Sequence, residues 1–292
     1  MTVINTNTAA TIAANSLAKN ERAMNEAMER LSTGKRINNA GDDAAGLAIS
    51  SRMTSQINGL DMAVRNGNDA ISMLQTADGA LVEITNMLQR LREISVQASS
   101  GTYSTTDISA LDTEFDQLVA AIEDIADDTQ WNGSNILNAA STVNYQIGAN
   151  ASQTVSFAFK DFEANSGAGS ILGDLDDDGD GDVSGTAVAL SALDITTSAA
   201  SRIAALHSLT GAINSVNAER ANIGATINRL EYAVDNLSNV SQNTSASRSR
   251  VLDADYASET TELARTQIIQ QAATAMLSQA NQQAQSVLAL LK

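Results

Sequence analysis

The chain has 292 residues, 43% hydrophobic but only 3% aromatic, with 17 basic against 34 acidic side chains and a net charge of −17. That length can bury a sizeable core in one or two domains, yet the shortage of Phe, Tyr and Trp favours long thin helical packing through Ala, Leu, Ile, Val and Met over an enzyme-like interior. The acidic surface repels phosphate backbones and anionic lipid heads, so neither nucleic acid nor a membrane is expected as a partner, and the absence of cysteine excludes disulfides, thiolate metal sites and cysteine nucleophiles.

The amino terminus, MTVINTNTAATIAANSL, is polar and lacks the basic-then-apolar pattern and processing site of a secretory signal. No apolar run approaches the ~18 residues of a membrane-spanning helix. The first segment places Val3, Ala10, Leu17, Met24 and Leu31 at seven-residue intervals, with Ala13, Ala27 and Met28 beside them, which predicts a helix with a narrow apolar seam ending near Gly34. Asp42 and Asp43 stand where carboxylates accept backbone N–H bonds at a helix start, and a long helix follows them. Its apolar positions, among them Ile57, Leu60, Leu74, Leu81, Ile84, Leu88 and Leu91, run to about Gln97, a rod of roughly 75 to 80 Å at ~1.5 Å per residue. The absence of proline leaves no ring to break it.

Beyond Gly101, Thr105 is the expected cap of a third helix whose seam, Ile108, Leu111, Phe115, Leu118, Ile122 and Ile125, follows strict three-four spacing. The Asn132-Gly133 pair and the alternation in Val143–Ile147 and Thr154–Phe159 predict a small region of β-hairpins. Residues 163–186 are rich in Gly, Ser and Asp and read as a loop. A fourth helix carries Leu206, Leu209, Ile213, Val216, Ile223, Ile227, Leu230, Val234 and Leu237, interrupted by Arg220, and Ser241 to Ser249 is expected to be a polar joint. The last helix has Ile269, Ala273, Met276, Ala280, Val287 and Leu290 on one stripe, beside Leu263, Leu277 and Leu291. Both terminal helices are too narrow-faced to be stable alone, so each needs a partner: the other, and neighbouring copies. The expected fold is mainly α, a long antiparallel coiled-coil bundle formed by the two halves of the chain with a small β-hairpin region in the middle.

Three stretches resemble bacterial flagellin: Leu31-Ser32-Thr33-Gly34-Lys35-Arg36-Ile37-Asn38, the joint Asn39-Ala40-Gly41-Asp42-Asp43-Ala44-Ala45-Gly46-Leu47-Ala48-Ile49, and Ala254-Asp255-Tyr256-Ala257 with Gln267-Ile268-Ile269-Gln270-Gln271-Ala272. The family's usual Phe before Asn-Gly is Trp131 here, and the middle of the chain is short. The resemblance implies a non-enzymatic subunit without cofactors that polymerises into the extracellular bacterial flagellar filament. It implies three regions: residues 1–41 with 250–292 as an inner core that is disordered in the free subunit, 42–162 with 187–249 as the outer bundle with its β region, and 163–186 as an outward acidic loop. It further implies secretion through the flagellar type III apparatus, an export chaperone on the carboxyl-terminal helix, and contacts with filament cap and junction proteins. A hook-filament junction protein and an intracellular coiled-coil adaptor are the alternatives; no set of nucleophile, base and orienting residue or phosphate loop favours an enzyme.

Two further patterns carry expectations. Arg90, Glu93 and Ile94, with Glu114 on the next helix, resemble the family stretch that meets an animal innate immune receptor and packs subunits together; read plainly, Arg90 and Glu93 form a surface pair three residues apart. Asp176, Asp178, Asp180 and Asp182 follow a calcium-loop spacing, but the twelfth place from Asp176 is Ala187 instead of the bidentate Glu, so a solvated acidic loop is expected and a metal site is not. The single histidine, His207, cannot form a zinc pair.

Overall fold

A computed structural model describes residues 7–164, 170–172 and 189–289. In chain order the elements are α1 (Thr8–Thr33), α2 (Ala44–Ala98), α3 (Thr105–Asp128), β1 (Gln130–Trp131), β2 (Ser134–Asn135), β3 (Ser141–Gln146), β4 (Thr154–Phe159), a 3-10 turn (Leu190–Ala192), α4 (Ala199–Leu252) and α5 (Tyr256–Ala289). The mainly helical fold with small hairpins in mid-chain is the one the periodicity predicts. Contacts divide the chain into two compact units, Met1–Ile57 with Ser241–Lys292, and Asn58–Val240. This division falls inside α2 and α4, whereas the boundaries expected at 41/42 and 249/250 lie near helix ends.

In the larger unit the core is built from one stripe on each of three helices. Leu74, Ala77, Leu81, Ile84, Leu88 and Leu91 of α2 alternate in steps of three and four and are fully buried, as are Leu209, Ala212 and Val216 of α4. Ile108, Phe115 and Ile122 of α3 join them as predicted, but Val119 and Ala126 complete the buried stripe, while Leu111, Leu118 and Ile125 of the predicted seam are only partly buried at its edge. Burying one such Leu, Ile or Phe side chain stabilises by about 1.5–3 kcal/mol, and these stripes supply most of the driving force. Ser104, one residue before the predicted cap, closes the start of α3. Its hydroxyl accepts from the Asp107 N–H while the Asp107 carboxylate accepts from the Ser104 N–H, a reciprocal capping box.

The β region forms as the alternation predicts. Asn132 and Gly133 both take positive φ, 51° and 79°, and join β1 to β2 in a two-residue turn. β3 and β4 pair antiparallel from Ser141↔Phe159 to Gln146↔Thr154. Val155, Phe157 and Phe159 point to the core, with the two Phe rings edge to face at 4.8 Å. The core extends past residue 163, where a loop was expected: Ala164 and Leu172 are fully buried, and Leu190 donates its N–H to the Leu172 carbonyl at 2.8 Å. The remainder of that stretch, including Asp176, Asp178, Asp180 and Asp182, lies outside the described residues.

Ser241 to Ser249 is not a joint. α4 runs unbroken through it to Leu252, because the stretch contains neither Gly nor Pro and its hydroxyls turn back on the helix, as Ser247 does to the Asn243 carbonyl at 2.9 Å.

Candidate assembly interface

The smaller unit brings the two ends of the chain together. α1 and α5 pair antiparallel: the Asn7 side-chain amide donates to the Ala280 carbonyl at 3.2 Å, Asn20 to the Thr266 carbonyl at 2.8 Å, and Arg30 contacts the Glu259 carboxylate at 3.2 Å. The sheltered positions of α1 include Ala10, Ala13, Leu17, Asn20, Met24, Ala27 and Leu31 in three-four alternation, with Ala23 and Arg30 beside them, so Ala10, Leu17, Met24 and Leu31 lie on the sheltered side of the helix. On α5 the sheltered stripe is Leu263, Thr266, Gln270, Ala273, Leu277 and Ala280. Ala273 and Ala280 belong to the predicted stripe. Ile269 and Met276 do not face α1: they flank the seam and are exposed, Met276 at 65%. Val3 and Leu290 lie outside the described residues, as does the side chain of Val287.

The polar members of this seam, Asn20, Thr266 and Gln270, were not picked out by a search for apolar residues. The signal was present, since Asn20 sits three residues after Leu17 and four before Met24, completing the heptad. Thr266 is 1% exposed and its hydroxyl donates to the Glu262 and Leu263 carbonyls, which satisfies it within α5.

The polar joint that follows α1 has a physical reason at each position. Gly34 caps α1 in the left-handed region, with φ of 69°. The backbone then bridges to the joint between α4 and α5: Arg36 N–H donates to the Leu252 carbonyl at 2.7 Å, and Ala254 N–H to the Gly34 carbonyl at 3.0 Å. Asp42 accepts the N–H groups of Asn39 and Asn38, which hold its carboxyl below the ordinary value. Asp43 accepts the Gly46 N–H at 2.8 Å and caps α2. Gly46 is required by close approach, because a Cβ there would press on the Asp43 carboxylate and lie 2.6 Å from Cδ1 of buried Ile37.

Elsewhere, Arg90 lies on the surface of α2 and clasps Glu114 of α3 through Nη2 at 2.7 Å and Glu93 through Nη1 at 3.0 Å, and these partners hold its guanidinium above the ordinary value. Ile94 is not part of this face. It follows Leu91 by three residues on the inward stripe and is fully buried, so it packs the core and is not a surface contact. Among the described residues no group of three or more His, Cys, Asp or Glu side chains is placed to hold a metal ion, and no helix is long and apolar enough to cross a membrane.

The larger unit buries its core yet leaves Met62, Val96, Tyr103, Ile203, Tyr232 and Val240 exposed, and the paired terminal helices likewise leave large apolar side chains uncovered, Ile12 and Ile268 at 66% each. Fold and site together define a helical-bundle structural protein. The sequence matches the bacterial flagellin N-terminal helical region over residues 4–142 and the bacterial flagellin C-terminal helical region over residues 206–291. It is 44% identical over 293 residues to a flagellin of Halalkalibacterium halodurans, covering 99% of this chain and 100% of that protein. It is 37% identical over 308 residues to the flagellar filament 33 kDa core protein of Treponema phagedenis, covering 99% and 100%. Among solved structures, a Vibrio parahaemolyticus protein provisionally assigned as flagellar hook-associated shares the fold, with a TM-score of 0.58 at 14% identity over 73% of this chain and 100% of that one. The chain belongs to the bacterial flagellin family. It is a structural subunit of the flagellar filament, a homopolymer.

Proposed function

We propose that the paired terminal helices are the polymerising part of this subunit and form the inner layer of the filament. The observation that carries this reading is the set of large apolar side chains left uncovered on both helices, Ile12, Met28, Ile268, Ile269 and Met276. Ala10, Leu17, Met24, Leu31, Ala273 and Ala280 hold the hairpin together, while Ile269 and Met276 meet neighbouring copies; Val3, Val287 and Leu290 continue the same sequence stripes. Covering one such side chain is worth about 1.5–3 kcal/mol, and a contact between two non-identical surfaces repeats by a screw operation into an open tube. Residues 1–41 with 250–292 form the inner layer and 42–162 with 187–249 the outer bundle, whose core Ala164 and Leu172 join.

The subunit is secreted to an extracellular filament, α5 being covered by an export chaperone beforehand, and it meets cap and junction proteins at the filament ends. Arg90, Glu93 and Glu114 present a charged outer face for neighbouring subunits and for an animal innate immune receptor; their exposure supports this.

Seeded assembly tests the central claim. Purified full-length chain and a version lacking residues 1–35 and 255–292 are mixed with filament seeds, followed by light scattering and negative-stain microscopy. Long helical filaments are expected from the full chain alone. A full chain that stays monomeric or stops at short rings, or a truncated chain that elongates, overturns it.

A further inference from the structure

The chain holds eight methionines and no cysteine, so thioethers are its only oxidisable sulfur. Among the described residues three methionines are exposed: Met276 at 65%, Met28 at 51% and Met62 at 48%. Met24, Met53, Met73 and Met87 are half-buried, and Met73 accepts a hydrogen bond from the Tyr145 hydroxyl. Met28 lies on α1 and Met276 on α5, both in the terminal unit, whereas Met62 belongs to the larger one. The register that sets Asn7 beside Ala280 and Asn20 beside Thr266 brings exposed Ile12 to about the level of Met276 on the paired helices.

We propose that Met28 and Met276 are modification sites at which hydrogen peroxide blocks assembly of the free subunit. This inference rests on the reading that neighbouring copies cover that surface. The sulfur lone pair attacks one peroxide oxygen, the O–O bond breaks, and a proton passes from the transferred oxygen to the departing hydroxide, giving methionine sulfoxide and water. Sulfur is oxidised by two electrons and peroxide is reduced. The product replaces a flexible apolar tip with a strong dipole that an apolar neighbour cannot satisfy. Within a filament both sulfurs are covered, so the free subunit is the sensitive form, and methionine sulfoxide reductase reverses the block.

The test treats full-length subunit with dilute peroxide, maps sulfoxides by peptide mass spectrometry and follows seeded elongation by light scattering. Oxidation at Met28 and Met276 is expected to slow elongation about tenfold, the loss that accompanies one unpartnered polar group at a contact. The elongation rate of M28L/M276L, whatever its value before treatment, is unchanged by peroxide, M62L gives no protection, and reductase with a thiol reductant restores the wild type. Undiminished elongation with both sulfoxides in place, or an equal loss in M28L/M276L, overturns the inference. Unoxidised M28Q/M276Q separates the two claims. If it elongates normally, the reading of this surface as a subunit contact fails; if it is blocked while the doubly oxidised wild type elongates, only the redox inference fails.

Discussion

Replacing Glu219 with Met should stabilise the larger unit. Glu219 sits on the inward stripe of α4, three residues after Val216 and four before Ile223, and is only 7% exposed. Its Oε1 has no hydrogen-bond partner. Burial raises its carboxyl above the ordinary 4.5, opposed by a hydrogen bond from Asn222 and by the charge of Lys160. The adjacent Arg220 does not relieve it, because that guanidinium is committed to Asp78 at 2.9 Å. A buried group without a partner costs about 1–3 kcal/mol, and the lost Asn222 bond returns about 1, so Glu219→Met should gain roughly 1–2 kcal/mol at pH 8. The folded state binds this proton more tightly than the unfolded state does, so the wild type loses stability as pH rises from 4.5 through the raised folded value. Met removes that dependence, so the advantage of the variant must grow from pH 5 to pH 8. Trp131, the only tryptophan, packs against this core and reports urea unfolding of this unit by fluorescence. A variant no more stable than wild type, or one whose advantage is larger at pH 5, would refute the reasoning.

Gly46→Ala should weaken the terminal unit by about 1–2 kcal/mol, because the new methyl group forces either the Asp43 cap or buried Ile37 to move. Faster amide hydrogen exchange around residues 36–50 is the expected readout, and unchanged exchange would show that the joint has slack. Arg90→Ala should leave stability nearly unchanged, since its ion pairs are exposed, whereas Ile94→Ala should cost about 2–5 kcal/mol by opening a core cavity. Equal shifts in the Trp131 urea midpoint would contradict the separation of these neighbours into surface and core.

Element types could be read from the sequence wherever one periodicity held without a competitor. The helical period of α3, the period-two alternation of β3 and β4, and the Asn132-Gly133 turn each fix the element type, and the structure adopts it, although the buried stripe of α3 passes through Val119 and Ala126 and leaves Leu118 and Ile125 at its edge. Composition misled where polarity was mistaken for a break: Ser241 to Ser249 is hydrophilic yet helical, since serine hydroxyls can bond within the helix that carries them. Ile94 was misplaced because a linear motif mixes faces. On α2, Arg90 and Glu93 point to solvent while Leu91 and Ile94 point inward, which burial reveals and adjacency in sequence hides.

The hairpin shows the deeper limit of pattern reading, because α5 contains two interleaved stripes that share Ala273 and Ala280. Counting hydrophobicity selects the one through Ile269 and Met276; packing against α1 selects the one through Thr266, Gln270 and Leu277. The second choice follows from what lies opposite. α1 contributes Leu17, Met24 and Leu31 with Ala10, Ala13, Ala27 and polar Asn20, and the register fixed by Asn7 against Ala280 and Asn20 against Thr266 turns Thr266, Gln270 and Leu277 toward it, leaving Ile269 and Met276 on the flank. A single α-helix thereby carries two faces: one packs against α1 within the chain, and the other, with Ile269 and Met276, is exposed and is the face that the proposed assembly covers with a neighbouring copy.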